Sequence, residues 1–452
     1  MSGFFIKEEL TQQIFSAWRE LMSEGSLPAL DRWLKARHKQ LKFEARHTET
    51  NVLPSSLAVS AALMEGVRFL QWVTAMEQGY QQQELIADLG QWDAEWTLAH
   101  ARKIPVMPFW YWVDLRVNGT ETKAPKNLRD AQERADFFTQ WQAKQAANET
   151  EDAQVSAEFL LWQGLRPQWL PLLQARAATS GWTQAQLHEF IAMQTRVPPL
   201  WLRKQSEKPV EDLVKTLRNE GVDAALTEEG YLFAQGGKGL NTTDCYKNGW
   251  VEIQDLASQQ IALAVDFKPG QKIWDACAGT GGKTLAIASR MNNKGALIAT
   301  DLHEYKLDEL KRRTKRAQFH TVRHFVWEGD APLRLPKEIA QQQGFDWVLV
   351  DAPCSSSGTW RRNPDARWRL SVEDTAELIE LQRQILTQAA VGVRAGGHLV
   401  YASCSWQLSE NEEQVAWFLQ EHPEFSLHSQ RILGAPLEDA DTMFVAVLKK
   451  QA

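Results

Sequence analysis

Apolar residues in the first 150 or so positions recur at helical spacing. In ELTQQIFSAWRELM, Leu10, Ile14, Trp18 and Met22 stand four apart and form one stripe of a helix. SSLAVSAALMEGVRFLQWVTAMEQGY predicts a strongly buried helix and QERADFFTQWQAKQAA a further one. MPFWYWVDLRVNGTETKAPKNLRD between them reads as a break. Beyond LPLLQARAATSGWTQAQLHEFIAMQ, Pro198 and Pro199 stop the helical pattern, because proline cannot continue its hydrogen bonding. PLWLRK then reads as a strand, KPVEDLVKTLRNEG as a helix closing at Gly221, and VDAAL and YLFAQ as short strands.

From about Gly249 the pattern changes again. QKIWDACAG, GALIATDLH, VRHFVWEGD, FDWVLVDAP and GGHLVYASC are apolar runs that give out into polar or glycine-rich ends, with helical stretches between them. TMFVAVLKK predicts a last strand. This is the layout of a doubly wound α/β sheet, in which ligands collect at the carboxyl ends of the strands. Three regions follow from the pattern: an all-helical one over 1–165, a small α/β module over 166–245, and the doubly wound unit over 246–452.

Composition narrows the class. The chain has 452 residues, 44% hydrophobic and 24% charged, as expected of a folded soluble protein. No run approaches the roughly 20 apolar residues that span a bilayer, and the opening MSGFFIKEELTQQIF meets charge too early for a secretory leader. Four cysteines are too few for a disulfide scaffold, and none has the close partner of a metal knuckle. A cytoplasmic protein without a membrane or metal partner, acting as a monomer, is expected. The net charge of −7 does not favour nucleic acid, but local patches exist. YKLDELKRRTKR is one; WRRNPDARWR, with Arg361, Arg362, Arg367 and Arg369 among tryptophans, is another and a candidate RNA contact.

The turn DACAGTGGKT carries the first chemistry. Ala276, Cys277, Ala278, Gly279, Gly281 and Gly282 are small enough to let a ligand approach the backbone. The phosphate-loop pattern fails, since Cys277 stands at its first glycine, and the dinucleotide pattern fails, since Thr284 stands at its last. S-adenosylmethionine needs such a turn for its aminoacyl end and an acid for its ribose. Asp301 ends the next strand, 26 residues after Asp275, and Asp330 is read as ending the one after.

Cys354, in VLVDAPCSSSGT, and Cys404, in GGHLVYASCS, lie fifty residues apart, each where an apolar strand gives out. Together with a cofactor turn they suggest methyl transfer assisted by a cysteine adduct. Cytosine C5 is a poor nucleophile until a thiolate adds at C6, and the adduct must then be resolved. Asp351 can meet the polar edge of a base. The residues alone leave open which thiol attacks.

IQDLASQ, DACAGTGGKT, DAPCSSSGTWRRNPDARW and YASCS occur in that order. Through them the region from about Pro198 to Lys450 resembles the RNA 5-methylcytosine methyltransferases, including the bacterial 16S ribosomal RNA enzymes of the RsmB/RsmF type. The resemblance implies a class I, Rossmann-like methyltransferase domain that uses S-adenosylmethionine on RNA. It implies that Cys404 is the nucleophile and that Cys354 assists release. It implies a cofactor pocket made of Cys277, Ala278, Gly279, Thr280, Gly281, Gly282 and Lys283, completed by Asp301, Asp330 and Asp351. The small module is then similar to an RNA-recognition-like extension, and the helical region to a diverged NusB-like domain. Two stretches differ from the family pattern: Gly279-Thr280 stands where Ala-Pro is usual, and Asp441-Thr442-Met443-Phe444 where Asp-Gly-Phe-Phe is usual. Transfer RNA as substrate, and a non-catalytic RNA-binding assembly factor, are the alternatives.

Overall fold

A computed structural model describes residues 8–37, 55–148, 154–237 and 239–452. Residues 1–7 of the opening stretch lie outside these. The chain divides into two compact units: residues 1–197 with 360–370, and residues 198–359 with 371–452.

The first unit is helical. Its helices include Glu8–Ser23, Ser55–Arg68, Leu70–Gln82, Val106–Asn118, Ala131–Asn148, Leu170–Ser180 and Gln184–Ala192. Ile14, Trp18 and Met22 face inward as the spacing predicts. The core is aromatic. The Trp72 ring meets Trp112, Phe138, Trp141 and Trp162 at centroid distances of 5.5–6.4 Å, mostly edge to face. That geometry adds about 0.5–1.5 kcal/mol per pair beyond burial. The expected break at MPFWYWVDLRVN is instead the helix Val106–Asn118. Its aromatic and β-branched residues are weak helix formers, but burial from Phe109 to Leu115 overrides propensity, and Pro108 sits in the first turn, where proline is tolerated.

The boundary expected at 165 also moves. The helices over 170–192 pack with the helical unit, and the small sheet starts only at Leu200. Amphipathic helices after a loop look alike whichever core they join, so the sequence pattern could not place that boundary.

The second unit holds two sheets. The smaller comprises β1 (Leu200–Lys204), β2 (Val222–Leu226), β3 (Leu232–Gly237) and β4 (Val251–Ile253), antiparallel in the order β2-β3-β1-β4. Helix Val210–Asn219 covers it with Leu213 and Leu217. The module therefore extends past the expected end at 245 to Ile253. The larger sheet comprises β5 (Lys272–Asp275), β6 (Ala296–Asp301), β7 (Val322–Val326), β8 (Phe345–Asp351), β9 (Val393–Ser403), β10 (Phe425–Leu433) and β11 (Met443–Lys450). Its order is β10-β11-β9-β8-β5-β6-β7. The five strands from β9 to β7 are parallel, and β11 runs antiparallel between β9 and β10. This is the class I methyltransferase architecture, with the strand order reversing between β5 and β8. The pattern missed β10, whose residues between its ends are largely exposed and show no apolar alternation.

Glu252 on β4 is almost fully buried. It pairs with Arg313 at 3.1 Å and Arg316 at 2.7 Å, both on helix Glu304–Arg316, and so ties the small sheet to the large one. Two arginines of the YKLDELKRRTKR patch are therefore engaged within the fold. Glu252→Ala should lower the unfolding free energy by about 3 kcal/mol, because it leaves two partly buried guanidiniums without their acid. Urea titration followed by circular dichroism measures this, and an unchanged midpoint contradicts it.

Candidate active site

The two thiols meet because β8 and β9 are adjacent and parallel, roughly 4.8 Å apart. Asp351 stands opposite Ala402 in the register, and Ala352 N donates to Ala402 O at 3.0 Å. Cys354 lies three residues beyond Asp351 and Cys404 two beyond Ala402, so both emerge at the same edge. Their sulfurs are 3.2 Å apart and both cysteines are free. Gly358 closes the space between the two chains. Its N–H donates to Cys404 O, and its carbonyl accepts from Thr442 N, both at 3.0 Å. A Cβ at Gly358 would stand 1.8 Å from Thr442 O, so only glycine fits.

The surroundings of the thiols differ. The Cys354 thiol hydrogen-bonds to the Cys404 sulfur, Ser356 Oγ stands 3.5 Å from Cys404, and the Lys283 ammonium faces Cys404. These hold Cys404 below the ordinary thiol range against the opposing pull of burial and of Asp351. Cys354 is held well above that range by the same sulfur pair, by burial and by the Glu410 carboxylate. The pair therefore shares its negative charge toward Cys404. Lys283 donates to Asp351 at 2.6 Å. Burial opposes its charge, but Asp351 outweighs burial and holds it protonated.

The turn after β5 is built as the sequence suggests. Ala276 N donates to Leu349 O and Ala278 N to Thr300 O, each at 2.8 Å. Gly281 adopts φ +95 before helix Gly282–Met291, and a Cβ there would meet Leu310 Cδ1 at 2.2 Å. Asp301 closes the turn from β6, accepting from Gly279 N at 3.0 Å and His303 N at 2.9 Å. Cys277 packs against the core, and burial pushes its thiol well up, so it serves as a small filler. Asp275, fully buried at the end of β5, accepts from Thr284 Oγ1 at 2.6 Å, while its Oδ1 has no partner.

Cys277 to Lys283, Asp301 and Asp351 thus converge with both thiols at the carboxyl edge of the sheet. Asp330 does not end a strand. β7 stops at Val326, and Asp330 lies in an exposed position four residues on, because Gly329 at φ +78 turns the chain. Two arginines also fall elsewhere. Arg361 and Arg367 are fully buried in the helical unit: Arg361 Nε donates to Arg196 O at 2.9 Å, and Arg367 donates to Gly164 O at 2.5 Å and Trp360 O at 3.0 Å. Guanidiniums placed this way pin backbone carbonyls and cannot meet phosphate. Arg369 stays exposed beside Asp365 and Arg362 is half-buried.

Sequence reasoning missed the polar layer under the thiol loops. Glu410, Gln382, Ser355, Ser357, Ser405 and Asn411 are all buried there. Ser357 and Ser405 hydroxyls lie 2.8 Å apart, and Asn411 Nδ2 donates to Ser405 O at 2.9 Å. The only available signal was the run of serines around each cysteine.

Residues 262–447 match the family model described as 16S rRNA methyltransferase RsmB/F. The chain is 32% identical over 300 residues to the ribosomal RNA small subunit methyltransferase B of Yersinia pestis, an alignment covering 64% of this chain and 67% of that one. The chain belongs to the RsmB/F family. A probable ribosomal RNA small subunit methyltransferase B of Bacillus subtilis is 36% identical over 217 residues, and the match spans about half of that relative, 47%. In fold, the chain is similar to the crystal structure of PH0851, with TM-score 0.69 and 23% identity over 98% of this chain and 99% of that one. It is also similar to NSun6 from Pyrococcus horikoshii, with TM-score 0.53 and 16% identity over 62% and 98%. Among the described residues no helix is long and apolar enough to cross a membrane, and no group of three or more His, Cys, Asp or Glu could hold a metal.

Burial raises Asp275 from its ordinary 3.8 to about 7 in this RsmB/F chain, with Thr284 opposing and Asp351 adding to the shift. An acid held more protonated in the folded chain contributes stability at low pH and loses it as pH rises through the folded value. Asp275→Asn should therefore gain stability relative to the native chain between about pH 4 and pH 7, with a constant difference above. Urea unfolding at several pH values reads this, and a flat difference contradicts it.

Proposed function

We propose that this chain transfers a methyl group from S-adenosylmethionine to C5 of a cytosine in RNA, with Cys404 as the nucleophile. The pair of free thiols 3.2 Å apart at the cofactor edge of a class I methyltransferase sheet carries this reading. The names of the matching relatives point to small-subunit ribosomal RNA as the substrate.

The residues present suit the cofactor. A Cβ at Gly279 would meet nothing within 4 Å, so that side of the turn is open. The first amides of helix Gly282–Met291 can take a carboxylate, and Asp301 can accept further hydrogen bonds from ribose hydroxyls. When bound, S-adenosylmethionine supplies an electrophilic sulfonium methyl.

The chain's own residues do the rest. The Cys404 thiolate adds to C6, forming the S–C6 bond, and the C5–C6 π electrons make C5 nucleophilic. Asp351, held by Lys283, meets the polar edge of the base, where it can accept a hydrogen bond from the exocyclic amine and orient the ring. Once C5 is methylated, a water molecule takes up the C5 proton, the electrons of the C5–H bond reform the C5–C6 double bond, and the S–C6 bond breaks to release the Cys404 thiolate. Cys354, adjacent and protonated, assists that last stage. Arg362 and Arg369 are the candidates for phosphate contacts from the WRRNPDARWR segment.

Cys404→Ala should abolish labelled 5-methylcytosine from radiolabelled cofactor while leaving cofactor binding intact. Cys354→Ala should still methylate but release product slowly, leaving RNA attached through Cys404 in a complex that survives denaturing electrophoresis. A slow-migrating complex from Cys404→Ala, absent from Cys354→Ala, reverses the two roles. Asp301→Ala should weaken cofactor binding by about 1–3 kcal/mol, the scale of lost charge-assisted hydrogen bonds. Calorimetry on the folded variant measures it, and unchanged affinity relocates the ribose.

A further inference from the structure

Glu410 is fully buried, and the Cys354 loop is wrapped around it. Ser355, the residue after Cys354, donates its N–H to Glu410 Oε1 at 2.7 Å and its hydroxyl to Oε2. Gln382, from helix Val372–Ala390, spends its amide on Glu410 Oε1 at 3.1 Å and on Pro353 O at 3.0 Å, on the other side of Cys354. Tyr401 donates to the Glu410 carbonyl at 2.6 Å. The grip also reaches the second thiol loop, since Gln407 Nε2 donates to Ser355 Oγ at 3.1 Å and Ser405 Oγ lies 3.3 Å from it.

Among the described residues no basic side chain pairs with Glu410, so its charge is met by hydrogen-bond donors alone. A buried carboxylate in that position acts on its neighbours through a weakly screening interior. Its charge reaches the Cys354 thiol from one side and holds it up. Lys283 and Asp351 face Cys404 from the other. Tyr401, which also lies near Cys354, is kept neutral by burial.

We propose that Glu410 is a positioning residue that tells the two thiols apart: it clamps the Cys354 loop through Ser355 and places fixed negative charge behind Cys354, so that the proton stays there and the thiolate forms on Cys404. Ser356 and Lys283 favour the charge on Cys404 from their side, and Glu410 disfavours it on Cys354 from the other. The proposal rests on the reading of Cys404 as nucleophile, yet it concerns thiols that can be probed without RNA.

The test is alkylation of the native chain by iodoacetamide under reducing conditions, across a range of pH. Mass spectrometry of the peptides holding Cys354 and Cys404 gives a pH midpoint for each, and midpoints are insensitive to differences in access. Cys404 should titrate at lower pH than Cys354; equal or reversed midpoints overturn the proposal without any variant. Glu410→Gln removes the charge and keeps the shape. Its amide oxygen can still accept from Ser355 N and Gln382, and its NH2 can donate to the Ser355 hydroxyl after that group rotates. In this variant the Cys354 midpoint should fall by about one pH unit, a tenfold change in thiolate. Cofactor binding should be retained as the sign of a folded chain. A folded Glu410→Gln chain with both midpoints unmoved overturns the proposal, because a purely structural role does not shift which sulfur ionises. Should methylation fail while the midpoints behave as stated, the functional reading falls and this one stands.

Discussion

Parallel pairing of β8 on β9 is the constraint on which the site depends. The thiols are separated by fifty residues, a long helix and a strand, and nothing local brings them together. The ladder sets Asp351 beside Ala402, and the loops then have only three and two residues in which to place the sulfurs. A shift of one residue in either strand would exchange the side chains of its two buried faces, each fitted to a different core, as well as separating the thiols. Burial of Val348, Val350, Leu399 and Tyr401 on one face therefore enforces the register that brings the thiols together.

The loops beyond that register are held by polar groups rather than by packing. Serine hydroxyls, Gln382, Asn411 and Glu410 satisfy one another in a buried layer in which each acceptor has a donor. Such a layer is costly when incomplete and rigid when complete. Rigidity matters where two sulfurs must stand in contact without a covalent bond. Gly358 sharpens the point: its backbone bridges Cys404 and Thr442 at a distance that admits no side chain.

Charge is distributed with similar economy. Lys283 neutralises Asp351 at the thiol edge, Arg313 and Arg316 neutralise Glu252 between the two sheets, and Arg134 neutralises Glu77 in the helical core at 2.8 Å. Glu410 and Asp275 depart from this: Glu410 is met by hydrogen-bond donors alone, and Asp275 is buried with one oxygen unpaired beneath the glycine-rich turn. The raised protonation of Asp275 is the consequence of that isolation.

Local signals were enough to reveal much of this in the sequence. Near-continuous apolar runs that give out into polar or small residues marked β5, β6, β8 and β9, because a parallel strand buried on both faces carries no polar alternation and the ligand edge lies at its carboxyl end. The placement of the glycine-rich turn, Asp301 and both thiols at that edge was legible for the same reason. The helix over Val106–Asn118 was not, since tertiary burial overrode the poor propensity of its aromatics. Neither was the burial of Arg361 and Arg367, because an arginine among tryptophans has the same sequence whether it faces phosphate or backbone carbonyls. Glu410 and Gln382 were invisible for a further reason. A buried hydrogen-bond network is made of residues distant in the chain, and only the folded backbone decides which polar side chains find each other.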